Sequence, residues 1–263
     1  MFTVSECRFP SKKSLSLVER FAPSLVERYS GNPVVWKLEE YILGHKFRLA
    51  FDTDYAIRYL PADCSVLEVG AFPYFLTFPL LTQGFKVCAL DQEARARPAA
   101  EDVAEGRLNP SSLRCDLDRD PIPAEDNSFD AIIINEVIEH LRINLIHSIN
   151  ELRRVLKPGG VLLMSTPNFR SVGGICNFIF KGEAWSCVGG VYEQFSLLET
   201  HGTMGHIREY TPTELKTFLE RIGFKVDGII HRGRYRRRQI SHYISILRPQ
   251  LKPFFSLVCS KPQ

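Results

Sequence analysis

The amino-acid sequence predicts an α/β protein built on a doubly wound, mostly parallel sheet, and three observations carry that expectation. From residue 63 onward, short apolar runs alternate with helical patterns, as successive βαβ units require. Runs such as Ala131-Ile132-Ile133-Ile134 are apolar at every position, which suits a sheet covered on both faces. Helical stretches end at proline and glycine, as at Leu156-Lys157-Pro158-Gly159-Gly160, where a helix stops and the chain turns.

Taken in order, the strand candidates are Ser65–Val69, Lys86–Leu90, Leu113–Cys115, Phe129–Asn135, Val161–Ser165, Phe224–Ile230 and Phe254–Cys259, seven in all. Helices are expected at 74–83, 93–105, 143–156 and 212–222. The last is opened by Thr211-Pro212-Thr213-Glu214, a capping box with proline in the first turn, and closed by Gly223. Residues 1–62 form a helical N-terminal extension and residues 63–263 the main domain. Within it, residues 167–209 make an irregular, lid-like insert, because a connection this long in a compact domain is usually a binding loop.

Composition sets bounds. With 263 residues, 44% hydrophobic and 24% charged, the chain can bury a large core without metal or disulfide staples. Its net charge of +3 excludes a general polyanion magnet. The seven cysteines are scattered without a CxxC pair, which favours a reducing compartment. The first residues lack the apolar core of a signal peptide, and no apolar run reaches the ~20 residues that span a bilayer. The expected location is cytoplasmic.

Three acidic residues sit at successive strand ends. Val66-Leu67-Glu68-Val69-Gly70-Ala71-Phe72 reads as strand, tight turn and helix entry, the layout of a nucleotide-type site. Asp91-Gln92 closes the second strand at the spacing of a carboxylate that reaches a ribose diol. Asp116-Leu117 follows the third. Any one of them alone serves as a helix cap or turn residue just as readily; their order along the sheet is the signal.

These residues, with Ser128-Phe129-Asp130-Ala131-Ile132-Ile133, Asn135-Glu136-Val137-Ile138-Glu139-His140-Leu141 and Glu151 to Gly160, resemble class I S-adenosylmethionine (SAM)-dependent methyltransferases of the type 11 group over residues 60–230. The resemblance implies a Rossmann-like fold with SAM as cofactor. It places the methionine part of SAM at Gly70 and Ala71, ribose at Asp91 and adenine at Asp116, with Glu68, Phe72, Gln92, Leu117, Asn135 and Glu136 completing the cofactor site. The family's second and third loop glycines are replaced by Phe72 and Tyr74, so the loop follows another path or the site is degraded. The Gly-Ala-x-Pro-Tyr-Phe variant looks like that of bacterial methyltransferases in glycan biosynthesis.

Glu136, Glu139 and His140 stand at i, i+3 and i+4, which on a helical turn shares one face. The stretch is similar to the metal-binding ExxEH of ubiquinone-pathway and small-RNA methyltransferases, where a later histidine completes the site; His206 stands at that place. The resemblance therefore extends to Mg²⁺ or another divalent cation on Glu136, Glu139, His140 and His206. Without metal, His140 is a base or a packing residue; His140 and His206 are the expected catalytic residues, since imidazole titrates in the useful range.

Finally, His231-Arg232-Gly233-Arg234-Tyr235-Arg236-Arg237-Arg238 precedes an amphipathic stretch with Ile240, Tyr243, Ile244, Leu247 and Leu251 at helical spacing. Such a segment is a solvated loop, a phosphate grip, or a peripheral contact with an anionic membrane through 231–251. The leading expectation is O-methylation of a sugar or other polar hydroxyl, on a small-molecule or phosphate-linked glycan substrate. A small-RNA 2′-O-methyltransferase is disfavoured because no RNA-binding module is recognisable. A scaffold that lost its cofactor is the other alternative.

Overall fold

The computed structural model describes residues 10–30, 38–92, 111–201, 205–233 and 239–263. Its strands are β1 (Ser65–Val69), β2 (Lys86–Asp91), β3 (Ser111–Arg114), β4 (Phe129–Asn135), β5 (Leu156–Pro167), β6 (Lys225–Arg232) and β7 (Phe254–Ser260). They form one sheet in the order β3-β2-β1-β4-β5-β7-β6. β1 to β5 pair in parallel, while β7 runs antiparallel between β5 and β6. The order reverses between β1 and β4, so a crevice opens at their carboxyl ends, where open α/β sheets bind ligands.

Strand periodicity divides the core in two. Val66, Ala131, Ile133 and Leu163 point to one face, packed under α1 (Lys12–Tyr29), α2 (Leu38–Tyr59) and α3 (Thr77–Thr82). Leu67, Ile132, Ile134 and Leu162 point to the other, under α4 (Leu145–Val155) and α7 (Pro212–Ile222). The capping box of α7 forms as expected: Thr211 accepts from the Glu214 amide, Glu214 accepts from the Thr211 amide, and Gly223 closes the helix in the left-handed conformation.

Three local expectations change. The insert is not irregular: it holds α5 (Val172–Lys181) and α6 (Val191–His201). The pair Gly173-Gly174 hides the first of these, because glycine lowers helix propensity. Gly174 is needed there, since a Cβ at that position would stand 2.0 Å from the Phe169 carbonyl oxygen. Next, Lys157 to Gly160 are not a turn but the start of β5, held by mutual backbone hydrogen bonds between Gly159, Gly160 and Lys261. Third, the helix expected at 74–83 is reduced to α3, which begins only after the Tyr74 turn. The helix expected at 93–105 and the arginines at 234–238 lie outside the described residues; beyond them comes α8 (Ile240–Leu247).

Candidate active site

Two groups of residues line the carboxyl edge of the sheet, and the first surrounds Gly70. Its φ of +68° favours glycine, and a Cβ there would stand 2.4 Å from Val137 Cγ2. The amides of Gly70 and Ala71 donate to the Leu90 carbonyl, which ties the loop to the end of β2. Asp91 fixes the next step: its carboxylate accepts from the Phe72 amide at 2.9 Å and from the Gln92 amide at 2.7 Å. Gln92 Nε2 then donates to Asp116 Oδ1 at 3.1 Å, so Asp91, Gln92 and Asp116 form a polar row. Leu117, next to Asp116 in the chain, is buried in the core.

Phe72 and Tyr74, the residues in the two glycine places, turn toward the N-terminal helices. Tyr74 is fully buried at φ +69°, and Phe72 meets the Tyr29 ring edge-on at 4.9 Å. The loop therefore takes a path of its own and leaves a small cavity, partly open to solvent. Tyr41, Arg48, Glu68, Gly70, Phe72 and Asn135 are among its walls. Burial pushes the Glu68 carboxyl up to about 8, against the pull of a 2.5 Å hydrogen bond from Thr77 Oγ1. Arg48 donates from Nη2 to the Tyr41 hydroxyl at 2.7 Å, while its buried Nε lacks a partner. Arg48 lines the cavity, and a guanidinium there suits a carboxylate-bearing ligand. The residues present thus fit SAM.

A buried polar layer joins α2 to the sheet. Asp52 accepts from Arg232 Nη1 and from Asn135 Nδ2, both at 2.8 Å. Ser165 Oγ lies 2.8 Å from Asn135 Oδ1 and 3.0 Å from Glu136 Oε1, and donates to one at a time.

Beyond that layer lies the second group. Glu136 adopts a left-handed φ of +55°, and a 3-10 turn follows over Ile138–His140. This geometry separates Glu136, which faces Ser165, from Glu139 and His140, so the three do not share one face. Glu139, His140 and His206 come together instead, with one ligand atom from each lying within 4.8 Å of the others. The His140 and His206 rings meet edge to face at 4.8 Å. Glu139 is wholly buried; Thr166 Oγ1 donates to its Oε2 at 3.0 Å, and its Oε1 has no partner. Burial, then repulsion from Glu136, holds its carboxyl well above the usual range. His140 is pushed down to about 4, by burial first and then by His206, so its ring is neutral near pH 7. His140 Nδ1 lies 3.0 Å from the Gly205 carbonyl, to which a neutral ring donates, leaving the Nε2 lone pair available. His206 Nδ1 lies 3.3 Å from Glu209. Burial would raise Glu209, but hydrogen bonds from His206 and Ser186 hold it below the ordinary value.

Sequence reasoning missed Tyr41, Arg48, Asp52, Thr77, Thr166 and Glu209. For Arg48 a signal existed: it interrupts the apolar run Phe47 to Phe51 on a helix that must bury a face. Glu209 stands one turn after His206 and could have been paired with it.

Residues 67–164 match the family model described as a methyltransferase domain. A rat (Rattus norvegicus) mitochondrial ubiquinone biosynthesis O-methyltransferase is 26% identical over 62% of this chain and 45% of its own length. A probable SAM-dependent methyltransferase of Mycolicibacterium smegmatis is 30% identical over 73% of this chain and 65% of its own. The chain thus spans about half the length of the ubiquinone-pathway relative. Among solved structures, a SAM-dependent methyltransferase from Aquifex aeolicus superposes with TM-score 0.51 at 19% identity, covering 94% of this chain and 98% of that one. The fold is therefore the class I SAM-dependent methyltransferase fold, a Rossmann-like seven-stranded sheet with N-terminal helices. On it, residues 67–164 carry a methyltransferase domain.

Gly70→Ala tests the loop directly. A positive φ costs a β-carbon-bearing residue about 1–3 kcal/mol, to which the Val137 clash adds. Thermal denaturation should show that loss, and titration calorimetry should show weakened SAM binding. A variant as stable as wild type would mean that the turn is not confined as described.

Proposed function

We propose that the chain is a SAM-dependent O-methyltransferase that brings an acceptor hydroxyl to the wall formed by Glu139, His140 and His206. The observation that carries this reading is the adjacency of the two groups. Asn135 lines the cavity, Glu136 follows it in the chain, and Ser165-Thr166 on β5 bonds to both sides, through Asn135 or Glu136 and through Glu139.

SAM, when bound, supplies an electrophilic methyl group for in-line transfer. Arg48 and Tyr41 hold its carboxylate, Asp91 its ribose and Asp116 its adenine, with Gly70 allowing close backbone approach. Displacement of this kind depends chiefly on alignment, which a buried, hydrogen-bonded frame supplies.

A hydroxyl acceptor must also lose its proton. Two imidazoles and a buried carboxyl oxygen without a partner are what a divalent cation would satisfy, and a bound cation lowers the pKa of a coordinated hydroxyl. Nitrogen donors beside a single carboxylate suit manganese, iron, cobalt or zinc better than magnesium, which prefers an all-oxygen shell. Oxygen as the methylated atom is supported by the relatives named O-methyltransferases. A sugar hydroxyl is the finer reading from sequence. Its support is thinner, because Trp185 is buried and Tyr192 faces solvent, so neither stands out as a stacking platform.

The test joins binding to turnover. Wild-type protein should bind SAM in calorimetry, and Arg48→Met should weaken binding by about tenfold or more. A donor analogue lacking the carboxylate should bind the two proteins alike. Labelled SAM offered with phenolic, catechol, sugar and RNA acceptors should label a hydroxyl compound, with activity lost to chelator and restored by a transition metal. No SAM binding at millimolar ligand would leave only a scaffold, and methylation of RNA alone would replace this reading.

A further inference from the structure

The last 36 residues contain an anomaly that methyl transfer does not use. α8 has the sequence Ile-Ser-His-Tyr-Ile-Ser-Ile-Leu, and its one buried residue is Ser245, while Ile240, Tyr243, Ile246 and Leu247 are exposed. α5, packed against α8, repeats the pattern: Gly174 is its one buried residue, and Phe178, Ile179 and Phe180 are exposed, Phe180 by 81%. Helices normally turn apolar side chains inward. These two place theirs outward together, and an apolar patch of this extent marks an interaction surface.

Charge selects the partner. After Asp227 the sequence contains no acidic residue, and Arg248, which follows α8, is exposed and basic. From Ser165 to Gly182, the stretch that contains α5, Arg170 and Lys181 are the charged residues, both positive. A second copy docked through a two-fold contact would set basic against basic. A bilayer with anionic headgroups offers the opposite sign around an apolar interior. No helix among the described residues is long and apolar enough to cross a membrane, so the contact lies along the surface.

We propose that α5 and α8 form a docking face for an anionic lipid bilayer. Exposed apolar side chains enter the headgroup boundary, and Arg170, Lys181 and Arg248, which flank the two helices, engage lipid phosphates. The face lies at the sheet edge that holds the candidate active site: β5 ends at Pro167 opposite Phe254, and β6 ends at Arg232 opposite the same residue. A docked molecule would thus hold its active-site edge near the membrane. The inference stands apart from the catalytic reading, since docking needs neither methyl donor nor acceptor.

Vesicle flotation tests it. Wild-type protein should float with vesicles of phosphatidylcholine plus phosphatidylserine, less with phosphatidylcholine alone, and less again at raised salt. The triple variant Phe180→Ser, Ile240→Ser, Leu247→Ser replaces exposed residues outside the active site. It should keep its circular dichroism spectrum and SAM affinity while its partitioning falls by about tenfold or more. If that variant misfolds, Phe180→Ser and Leu247→Ser alone should each lower partitioning. Failure of wild-type protein to float with anionic vesicles would overturn the proposal. So would equal flotation of folded variants, or a dimer in light scattering that dissociates with the same substitutions.

Discussion

His140→Ala is expected to lower kcat by about 10²–10⁴-fold, the range that positioned proton-transfer groups contribute, while SAM affinity is unchanged. The asymmetry follows from geometry. His140 is absent from the walls of the Gly70 cavity but shares its donor cluster with Glu139 and His206. Its Nδ1 is committed to the Gly205 carbonyl, so the ring presents Nε2 in one fixed tautomer. Alanine removes that atom and leaves the backbone turn, whose His140 amide bonds to the Val137 carbonyl, in place. His206→Ala should fall similarly. The double variant should fall little further, since groups that act as a unit lose function together. Steady-state kinetics with calorimetry would check this; kcat near wild type would remove the imidazoles from the reaction.

The second large effect concerns stability. Asp52→Ala is expected to cost about 3–5 kcal/mol, the range for stranding one member of a buried ion pair. Asp52 is wholly buried, and burial raises its pKa while Arg232 and then Arg48 pull it down. Two nitrogens of Arg232, Nε and Nη2, already lack partners. Without Asp52 a third donor would join them, and Asn135 would lose the acceptor for its side-chain amide. Asp52→Asn keeps an oxygen there and should cost less. Chemical denaturation followed by fluorescence and circular dichroism together would measure both. A loss below about 1 kcal/mol, the scale of a surface pair, would show that the layer is wetter than its burial implies.

His140 and His206 stood out in the sequence through their motif, whereas Asp52 did not. The strands were legible because fully apolar runs bounded by glycine and proline have few other readings, and Gly70, Asp91 and Asp116 were legible from their order at strand ends. The tyrosine and arginine of α2 were not. A helical stripe announces that one face is buried, but not which sheet end it covers, so Tyr41 and Arg48 could not be placed over Gly70. The Glu136 spacing misled for a backbone reason. Three side chains share a face only along a continuous helix, and one residue at positive φ breaks that premise. The glycine pair that masks α5 likewise made a helical insert look irregular, and with it the part of the apolar face that α5 supplies went unseen.

The position of β7 constrains the order of assembly. β6 pairs only with β7 among the described strands, and β7 is the later of the two in the chain. While the polypeptide is being made, the growing molecule can close β1 to β5 and bury much of its interior, yet β5 remains a bare edge until Phe254 to Ser260 leave the ribosome. Arg232 stands at the end of β6, so its clasp on Asp52 is secured only then. Closure of the Asp52–Arg232 pair and completion of the sheet therefore both wait for a single short strand.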